Sequence, residues 1–176
     1  MTTDLQSLIT HAKAQKFPSI LLLDGLEDPR NFGAILRTAE ATNIAGVVIP
    51  KKRSVSVTEI VKQTSTGASD LVPIATVSNL NQTIALLKQE GFWIVGLEAD
   101  GETRYTDIDY KLPTAFVIGS EGNGLSRLVR ENCDLTVSIP MLGQISSLNV
   151  SVATAIILYE AVRQRYEQKT SGKLKS

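Results

Sequence analysis

Six short runs of apolar residues constrain the fold of this chain more than any other feature of its sequence. Each run has the length of a strand, and helical patterns separate the runs along the chain. The strands of a sheet with one solvent-exposed face would alternate polar and apolar residues, whereas these runs are apolar almost throughout. They cover residues 19–24, 46–50, 72–77, 92–97, 115–118 and 135–139. The pattern predicts an α/β fold, with a mostly parallel sheet of about six strands and helices on both faces.

Helical patterns fill the intervals between these runs. Helices are predicted at residues 5–12, from Asn31 onward, at residues 125–132 and at residues 147–167. A capping box of Ser56 and Glu59 starts another predicted helix, which runs to about residue 65. Ser78 is the predicted N-cap of a further helix that ends at residue 91. The last helix is apolar on nearly every side, which predicts a buried position. Its apolar circumference exceeds what one sheet face can cover, and this favours a homodimer.

Composition and charge exclude several classes of protein. The 176 residues are 43% hydrophobic and 20% charged, as in a soluble globular domain. The 18 basic residues balance 18 acidic ones, so a nucleic-acid partner would need local patches, of which the candidates are residues 51–53, the pair Arg127 and Arg130, and residues 163–175. One His and one Cys provide neither a metal cluster nor an internal disulfide. No leader or membrane span is predicted, so the cytoplasm is the expected compartment.

Ligands of open α/β sheets bind beyond the carboxyl ends of the strands, so the loops after the strands are the candidate sites. The first such loop covers residues 24–37, and Asn31 in it is either a helix N-cap or a site residue. Gly33, Arg37 and Glu40 fall on one helix face. The glycine indicates a close approach to the backbone beside Arg37, which either binds phosphate or ribose or pairs with Glu40.

Two further loops carry polar residues after apolar strands. The loop GSEGNGLS, residues 119–126, has three glycines in six residues, and its Glu121 either caps the N–H groups of Asn123 and Gly124 or serves as a functional carboxylate. The loop after residue 139 leads into the final helix, with Ser147 as a predicted N-cap and Asn149 in the first turn.

Together these loops resemble a known family. The segments DPRNFGAILR, GSEGNGLS and IPMLGQISSLNVSVATAIILYE are similar to the three motifs of the SpoU-type RNA 2'-O-ribose methyltransferases of the SPOUT superfamily. The resemblance spans residues 20–165. The segments at residues 49–68 and 77–96 make the chain most similar to the branch that methylates a guanosine ribose in 23S ribosomal RNA.

The resemblance implies an α/β domain with a C-terminal trefoil knot, a homodimer, and S-adenosyl-L-methionine as the cofactor. It also implies the site residues. The residues that match the cofactor-binding positions are Gly119, Ile139 and Leu148, with Leu97 and Met141 in the adjoining loops. The residues that match the catalytic and substrate positions are Asn31, Arg37, Glu121, Ser147 and Asn149. No metal is implied.

The implied reaction is in-line attack of a ribose 2'-hydroxyl on the methyl group of a sulfonium, with loss of the hydroxyl proton. Arginine is a poor base because its ordinary pKa exceeds about 12, which favours Arg37 as a clamp for RNA phosphate over Arg37 as the base. Asn31 and Asn149 would orient the hydroxyl, and Glu121 would position Arg37 or its loop. Cys133 has no role in this chemistry, since oxygen methylation needs no thiol adduct.

The resemblance leaves alternatives for substrate and activity. Ribosomal RNA is the expected substrate, transfer RNA is a second, and a non-catalytic knotted RNA-binding module is a third reading. Members of this branch usually carry an N-terminal RNA-binding domain, so this chain is expected to be either a catalytic domain from a longer protein or a minimal enzyme. The expected parts are an N-terminal helix and linker remnant at 1–19, the methyltransferase domain at 20–167, and a basic tail at 168–176.

Overall fold

One parallel sheet organises the fold. In the computed structural model, which describes residues 1–52 and 55–167, the strands are β1 Thr2–Thr3, β2 Ser19–Leu23, β3 Val47–Pro50, β4 Ile74–Val77, β5 Trp93–Leu97, β6 Thr103–Arg104, β7 Thr114–Ile118 and β8 Leu135–Ser138. Their order across the sheet is β1-β4-β3-β2-β7-β5-β8-β6, and every neighbouring pair is parallel. The predicted α/β class with a parallel sheet is therefore confirmed.

The predicted count of about six strands is too low, because the described residues form eight. All six predicted runs are strands. The two additional strands, β1 and β6, are two residues long and lie at the edges of the sheet. A strand of two residues contains no apolar run, so the sequence gives no signal for it.

The helices are α1 Leu5–Lys13, α2 Pro29–Ala41, α3 Glu59–Ser65, α4 Ala68–Leu71, α5 Leu80–Gln89, α6 Arg127–Asn132 and α7 Val150–Glu167, with a 3-10 turn at Tyr105–Asp107. In the described part of the chain no helix is long and apolar enough to cross a membrane. The predicted basic tail at 168–176 and part of the predicted basic patch at 51–53 lie outside the described residues.

None of the four candidate N-caps caps its helix, and each lies one to three residues from the observed cap. The side chain of Asp28, not Asn31, accepts from the Arg30 N–H at the start of α2, where Pro29 occupies the first helical position. The other observed caps are Thr58 in place of Ser56, Asn79 in place of Ser78, and Asn149 in place of Ser147. Several hydroxyl, amide or carboxylate oxygens precede each helix, and only the backbone path decides which one reaches the free N–H groups.

Both faces of the sheet are buried, as the apolar runs predict. Along β2, Leu21 and Leu23 belong to the core under α2, α3 and α7, whereas Ile20 and Leu22 belong to the core under α1 and α5. All five residues of β2 and of β7 are buried. These two strands lie at the centre of the sheet, and their carboxyl ends support the loops described below.

The N-terminal residues pack into the same fold. Strand β1 pairs with β4, and α1 buries Leu8, Ile9 and Ala12. At the other end of the chain, Arg165 is only 8% exposed, and its guanidinium donates to the Tyr110 carbonyl and the Ser19 hydroxyl. Arg165 is thus a buried residue, which corrects its predicted place in a basic surface patch.

Gly33 is buried in α2, and the close approach that its presence predicts comes from the protein itself. A Cβ at this position would lie 1.8 Å from Thr64 Oγ1 and 3.1 Å from the Ser65 backbone nitrogen in α3. The prediction of a ligand beside the Gly33 backbone is therefore wrong. The glycine allows α2 and α3 to pack together.

Helix α7 is buried along one side only. Thr154, Ile157, Leu158 and Ala161 face the core. Val152, Tyr159 and Tyr166, at intervals of seven residues, are exposed by 48%, 51% and 63%. The prediction that this helix is buried on all sides is therefore wrong for the single chain.

Replacing Gly33 by alanine should destabilise the fold, because rotating the Thr64 side chain removes only the nearest of the three clashes. Overpacking costs about 1–3 kcal/mol, against about 1 kcal/mol gained in helix propensity. We expect the free energy of unfolding in urea to fall by up to about 2 kcal/mol. Glu40→Ala on the exposed face of α2 is the control and should change it by less than about 0.5 kcal/mol. A rise in the Gly33→Ala variant would contradict the packing argument.

Candidate cofactor and substrate site

The loops after four strands meet at one edge of the sheet. β2, β7, β5 and β8 are consecutive neighbours, and their ends are in register, with Leu23 opposite Ile118, Leu97 opposite Ile118, and Leu97 opposite Val137. Because all four strands are parallel, the three loops singled out in the sequence leave the sheet side by side.

A cavity of about 320 Å³ lies among these loops. The residues of the predicted site that line it are Leu97, Gly119, Glu121, Ile139, Met141, Ser147, Leu148 and Asn149. This set includes every predicted cofactor-binding residue and three of the five predicted catalytic residues. Asn31 and Arg37 are not among the lining residues. The cavity is also lined by residues outside the predicted site set, among them Glu98, Ser120, Ser146 and Ala153.

The glycine-rich loop after β7 folds back on itself. Ser120 and Gly124 form an antiparallel bridge in which each N–H donates to the other carbonyl at 3.1 Å. A Cβ on Gly119 would lie 2.1 Å from the Gly124 carbonyl carbon, so only glycine fits there. Gly124 has φ +67°, in the region that favours glycine. The predicted cap of the Gly124 N–H by Glu121 is wrong, since that N–H donates to Ser120.

Two carboxylates from the strands on either side of β7 hold the far end of this loop. Asp24, directly after β2, accepts from the Ser126 N–H at 2.7 Å. Glu98, directly after β5, accepts from the Leu125 N–H at 2.7 Å. Sequence reasoning missed both residues, although their position immediately after apolar strands was an available signal. Charge-assisted hydrogen bonds of this length fix the loop against the sheet edge.

A chain of hydrogen bonds joins the three loops beside the cavity. The Asn31 side-chain amide donates to Glu121 Oε1 at 3.0 Å, and the Asn149 amide donates to Asn31 Oδ1 at 3.1 Å. Asn149 Oδ1 in turn accepts from the Ser151 and Val152 N–H groups at the start of α7. The structure thus brings together Asn31, Glu121 and Asn149, which lie far apart in the sequence.

The remaining two predicted catalytic residues, Arg37 and Ser147, are not part of this series of hydrogen bonds. Arg37 is exposed on α2, and within residues 1–52 and 55–167 it has no ion pair with Glu40 or any other acid. Ser147 is an exposed residue that lines the cavity. Of the two roles considered for Arg37, pairing with Glu40 is therefore not observed among the described residues.

The candidate patch at Arg127 and Arg130 is largely neutralised by acidic neighbours. Arg127 pairs with Glu131 at 3.3 Å and Arg130 with Asp100 at 3.1 Å. The hydrogen bond and charge of Arg130 lower the pKa of Asp100. Burial raises the pKa of the nearby Cys133 to about 12, so the thiol stays protonated and unreactive at neutral pH.

Comparison with known proteins assigns the family. The chain matches the SpoU rRNA Methylase family over residues 18–159, most of its length. The chain belongs to the SpoU rRNA methylase family. It is 50% identical over 163 residues to a protein of Staphylococcus saprophyticus named as a TrmH family tRNA/rRNA methyltransferase, covering 92% of this chain and 66% of the relative. The resemblance to the SpoU methyltransferases is confirmed, and the 23S guanosine branch is not tested by these matches.

Solved structures of the family superpose on the chain. The SpoU methyltransferase AviRb from Streptomyces viridochromogenes, in complex with AdoMet, has a TM-score of 0.80 at 33% identity, covering 89% of this chain and 61% of AviRb. The A. aeolicus TrmH/SpoU tRNA modifying enzyme has a TM-score of 0.78 at 35% identity, covering 93% of this chain and 83% of that enzyme. The chain spans less than two thirds of the length of these proteins, 66% of the S. saprophyticus relative and 61% of AviRb.

Replacing Asn31 by aspartate should break the hydrogen-bond chain, because a carboxylate cannot donate to Glu121 and repels it at the present 3.0 Å. The repulsion disappears when one carboxyl is protonated. We therefore expect the Tm deficit relative to wild type to be small near pH 4 and to grow towards pH 7. Asn123→Asp adds the same charge to the glycine-rich loop and is the control. Equal, pH-independent deficits in both variants would contradict the interaction.

Proposed function

We propose that this chain is the catalytic part of an S-adenosylmethionine-dependent RNA methyltransferase that acts on a ribose 2'-hydroxyl. The observation that carries the proposal is the cavity lined by the three residues that match the family's cofactor positions and by Leu97 and Met141 from the adjoining loops, with the hydrogen-bonded Asn31, Glu121 and Asn149 beside it. Family membership supports the methyltransferase activity, and the AdoMet complex of AviRb supports the cofactor.

The cavity fits such a cofactor in size and chemistry. Its volume of about 320 Å³ is at the lower end of small-molecule sites. Leu97, Ile118, Ile139 and Leu148 provide an apolar wall suited to an adenine ring, and the glycine-rich loop presents backbone groups. When bound, the cofactor would supply a methyl group on a positively charged sulfur.

The polar chain would orient the attacking hydroxyl. Asn31 and Asn149 hold each other and Glu121 in fixed geometry, which limits the reorganisation needed when the ribose binds. Arg37 is exposed on the same helix as Asn31, where a guanidinium can bind an RNA phosphate from solvent. Since an arginine keeps its proton at neutral pH, we assign Arg37 as a phosphate clamp and stabiliser of the developing alkoxide, not as the base.

We assign a guanosine of 23S ribosomal RNA as the target, on the basis of the sequence segments around residues 49–68 and 77–96. Transfer RNA is the second candidate, because the S. saprophyticus relative is named for both RNA classes and the A. aeolicus neighbour is a tRNA modifying enzyme. The trefoil knot and the cytoplasmic location stay predictions, as does the division of the chain at residues 19 and 167.

A homodimer is part of the proposal. Helix α7 exposes Val152, Tyr159 and Tyr166 at intervals of seven residues, and the loop before it exposes Leu142 and Ile145 by 97% and 74%. Large exposed apolar areas mark interaction surfaces. A second copy of the chain is the occupant that the symmetry of most soluble oligomers favours.

Arg37→Ala should abolish methyl transfer to RNA and change cofactor affinity by no more than a few-fold, because Arg37 does not line the cavity. Isothermal titration measures the affinity, and transfer of a labelled methyl group to ribosomal and transfer RNA measures the activity. Lys13→Ala, which removes an exposed cation paired with Glu90, is the control. Transfer at the wild-type rate in Arg37→Ala would refute the clamp, and absence of cofactor binding to wild type at millimolar concentration would refute the enzyme.

Light scattering at micromolar protein should give the mass of a dimer. Tyr159→Glu should shift the mass to that of a monomer, since a carboxylate would be desolvated at the centre of the exposed α7 stripe. Glu40→Lys, on an exposed face of α2, should leave the dimer intact. A monomeric wild type would contradict this part of the proposal.

A further inference from the structure

Glu98 faces the cavity with half of its carboxylate uncommitted. The residue lines the cavity, and its Oε1 accepts from the Leu125 N–H at 2.7 Å. In the part of the chain that the structure describes, Oε2 accepts no hydrogen bond and makes no ion pair. Oε2 is also 2.7 Å from the position a Cβ of Gly124 would occupy, so the carboxylate lies directly against the glycine-rich loop.

Two carboxylates occur among the described residues that line the cavity, Glu98 and Glu121. Glu121 Oε1 accepts from Asn31 and belongs to the chain beside the proposed reaction centre. Each of the two carboxylates has one oxygen without a hydrogen bond among the described residues, and Glu98 is the one that lies outside the hydrogen-bonded group of Asn31, Glu121 and Asn149. The family resemblance assigns no function to this position, and none of the site predictions includes it.

The position of Glu98 suits the ribose of the cofactor better than the adenine or the methionine part. Asn31 follows β2 and Glu98 follows β5, with β7 between them, and neighbouring strands are about 4.8 Å apart. Glu98 is thus about 10 Å along the sheet edge from the strand that leads to Asn31. If the reacting sulfur is held beside Asn31 and the adenine against the apolar wall, the ribose that joins them would lie next to Glu98.

We propose that Glu98 binds the ribose 2'- and 3'-hydroxyls of the cofactor, and so selects a ribonucleoside ligand while it braces the glycine-rich loop through Leu125. The proposal rests on the function proposed above. A carboxylate with one bound and one free oxygen can accept from the loop and from a neighbouring hydroxyl at once. Hydrogen bonds to a charged acceptor are the stronger class, so the contribution to affinity should be measurable.

Two other roles for Glu98 give different results in titration. If Glu98 only braced the loop, its substitution would weaken every ligand of the cavity equally. If Glu98 bound the ammonium group of the methionine part, its substitution would spare ligands that lack that part. Glu98→Gln keeps an oxygen for the Leu125 N–H but removes the charge, and is the test variant. Asp100→Asn removes an exposed charge two residues away and is the control.

The test is isothermal titration of three ligands into wild type, Glu98→Gln and Asp100→Asn. The ligands are S-adenosylhomocysteine, its 2',3'-dideoxyribose analogue, and 5'-methylthioadenosine, which lacks the amino-acid part. We expect Glu98→Gln to weaken S-adenosylhomocysteine and 5'-methylthioadenosine by about tenfold. We expect it to change the affinity of the dideoxy analogue by less than about twofold, and Asp100→Asn to change none.

Equal weakening of all three ligands, or weakening of S-adenosylhomocysteine and its dideoxy analogue with 5'-methylthioadenosine unchanged, would overturn the proposal. Wild type that binds the dideoxy analogue as tightly as S-adenosylhomocysteine would overturn it without any variant, so a poorly folded Glu98→Gln does not prevent the test. Wild type that binds none of the ligands would instead overturn the proposed function, and the two failures are distinguishable.

Discussion

The alignment of four parallel strands is the constraint on which the rest of the structure depends. β2, β7, β5 and β8 end in register, so the loops that follow them leave the sheet at the same edge. Burial of both faces fixes this register, because a slip of one residue would turn one set of side chains, such as Ile20 and Leu22, into the wrong core. The cavity is a consequence of this alignment.

At that edge of the sheet, two closely packed glycines and two carboxylates give the cavity its shape. The contact between Gly119 and Gly124 leaves no space for a Cβ, and the bonds of Asp24 and Glu98 to the same loop hold it in place. On the other side, Asn149 acts at once as the cap of α7 and as the donor to Asn31. The site is therefore pre-formed by groups that also stabilise the fold, which keeps the cost of ordering it low when a ligand binds.

The sequence predicted most of the sheet and eight of the residues that line the cavity, because both depend on patterns local to the chain. The apolar runs located β2 to β5, β7 and β8, and the motifs located the residues around the cavity. The caps were wrong because several neighbouring oxygens, such as those of Asp28 and Asn31, compete for the same N–H groups. The hydrogen bonds of Asn31 to Glu121 and to Asn149 join residues that are 90 and 118 positions apart. A glycine is needed at position 33 because Thr64, in another helix, lies against it. Such contacts exist only once the chain is folded.

The central claim is that these loops form one site that transfers a methyl group to a ribose hydroxyl. The most direct measurement is to incubate the protein with RNA and isotope-labelled S-adenosylmethionine, digest the RNA to nucleosides, and identify the labelled products by mass spectrometry. The account predicts label in a 2'-O-methylated ribonucleoside, and loss of that product in Asn149→Ala. Label confined to a methylated base, or no label in ribosomal or transfer RNA although the cofactor binds, would contradict it.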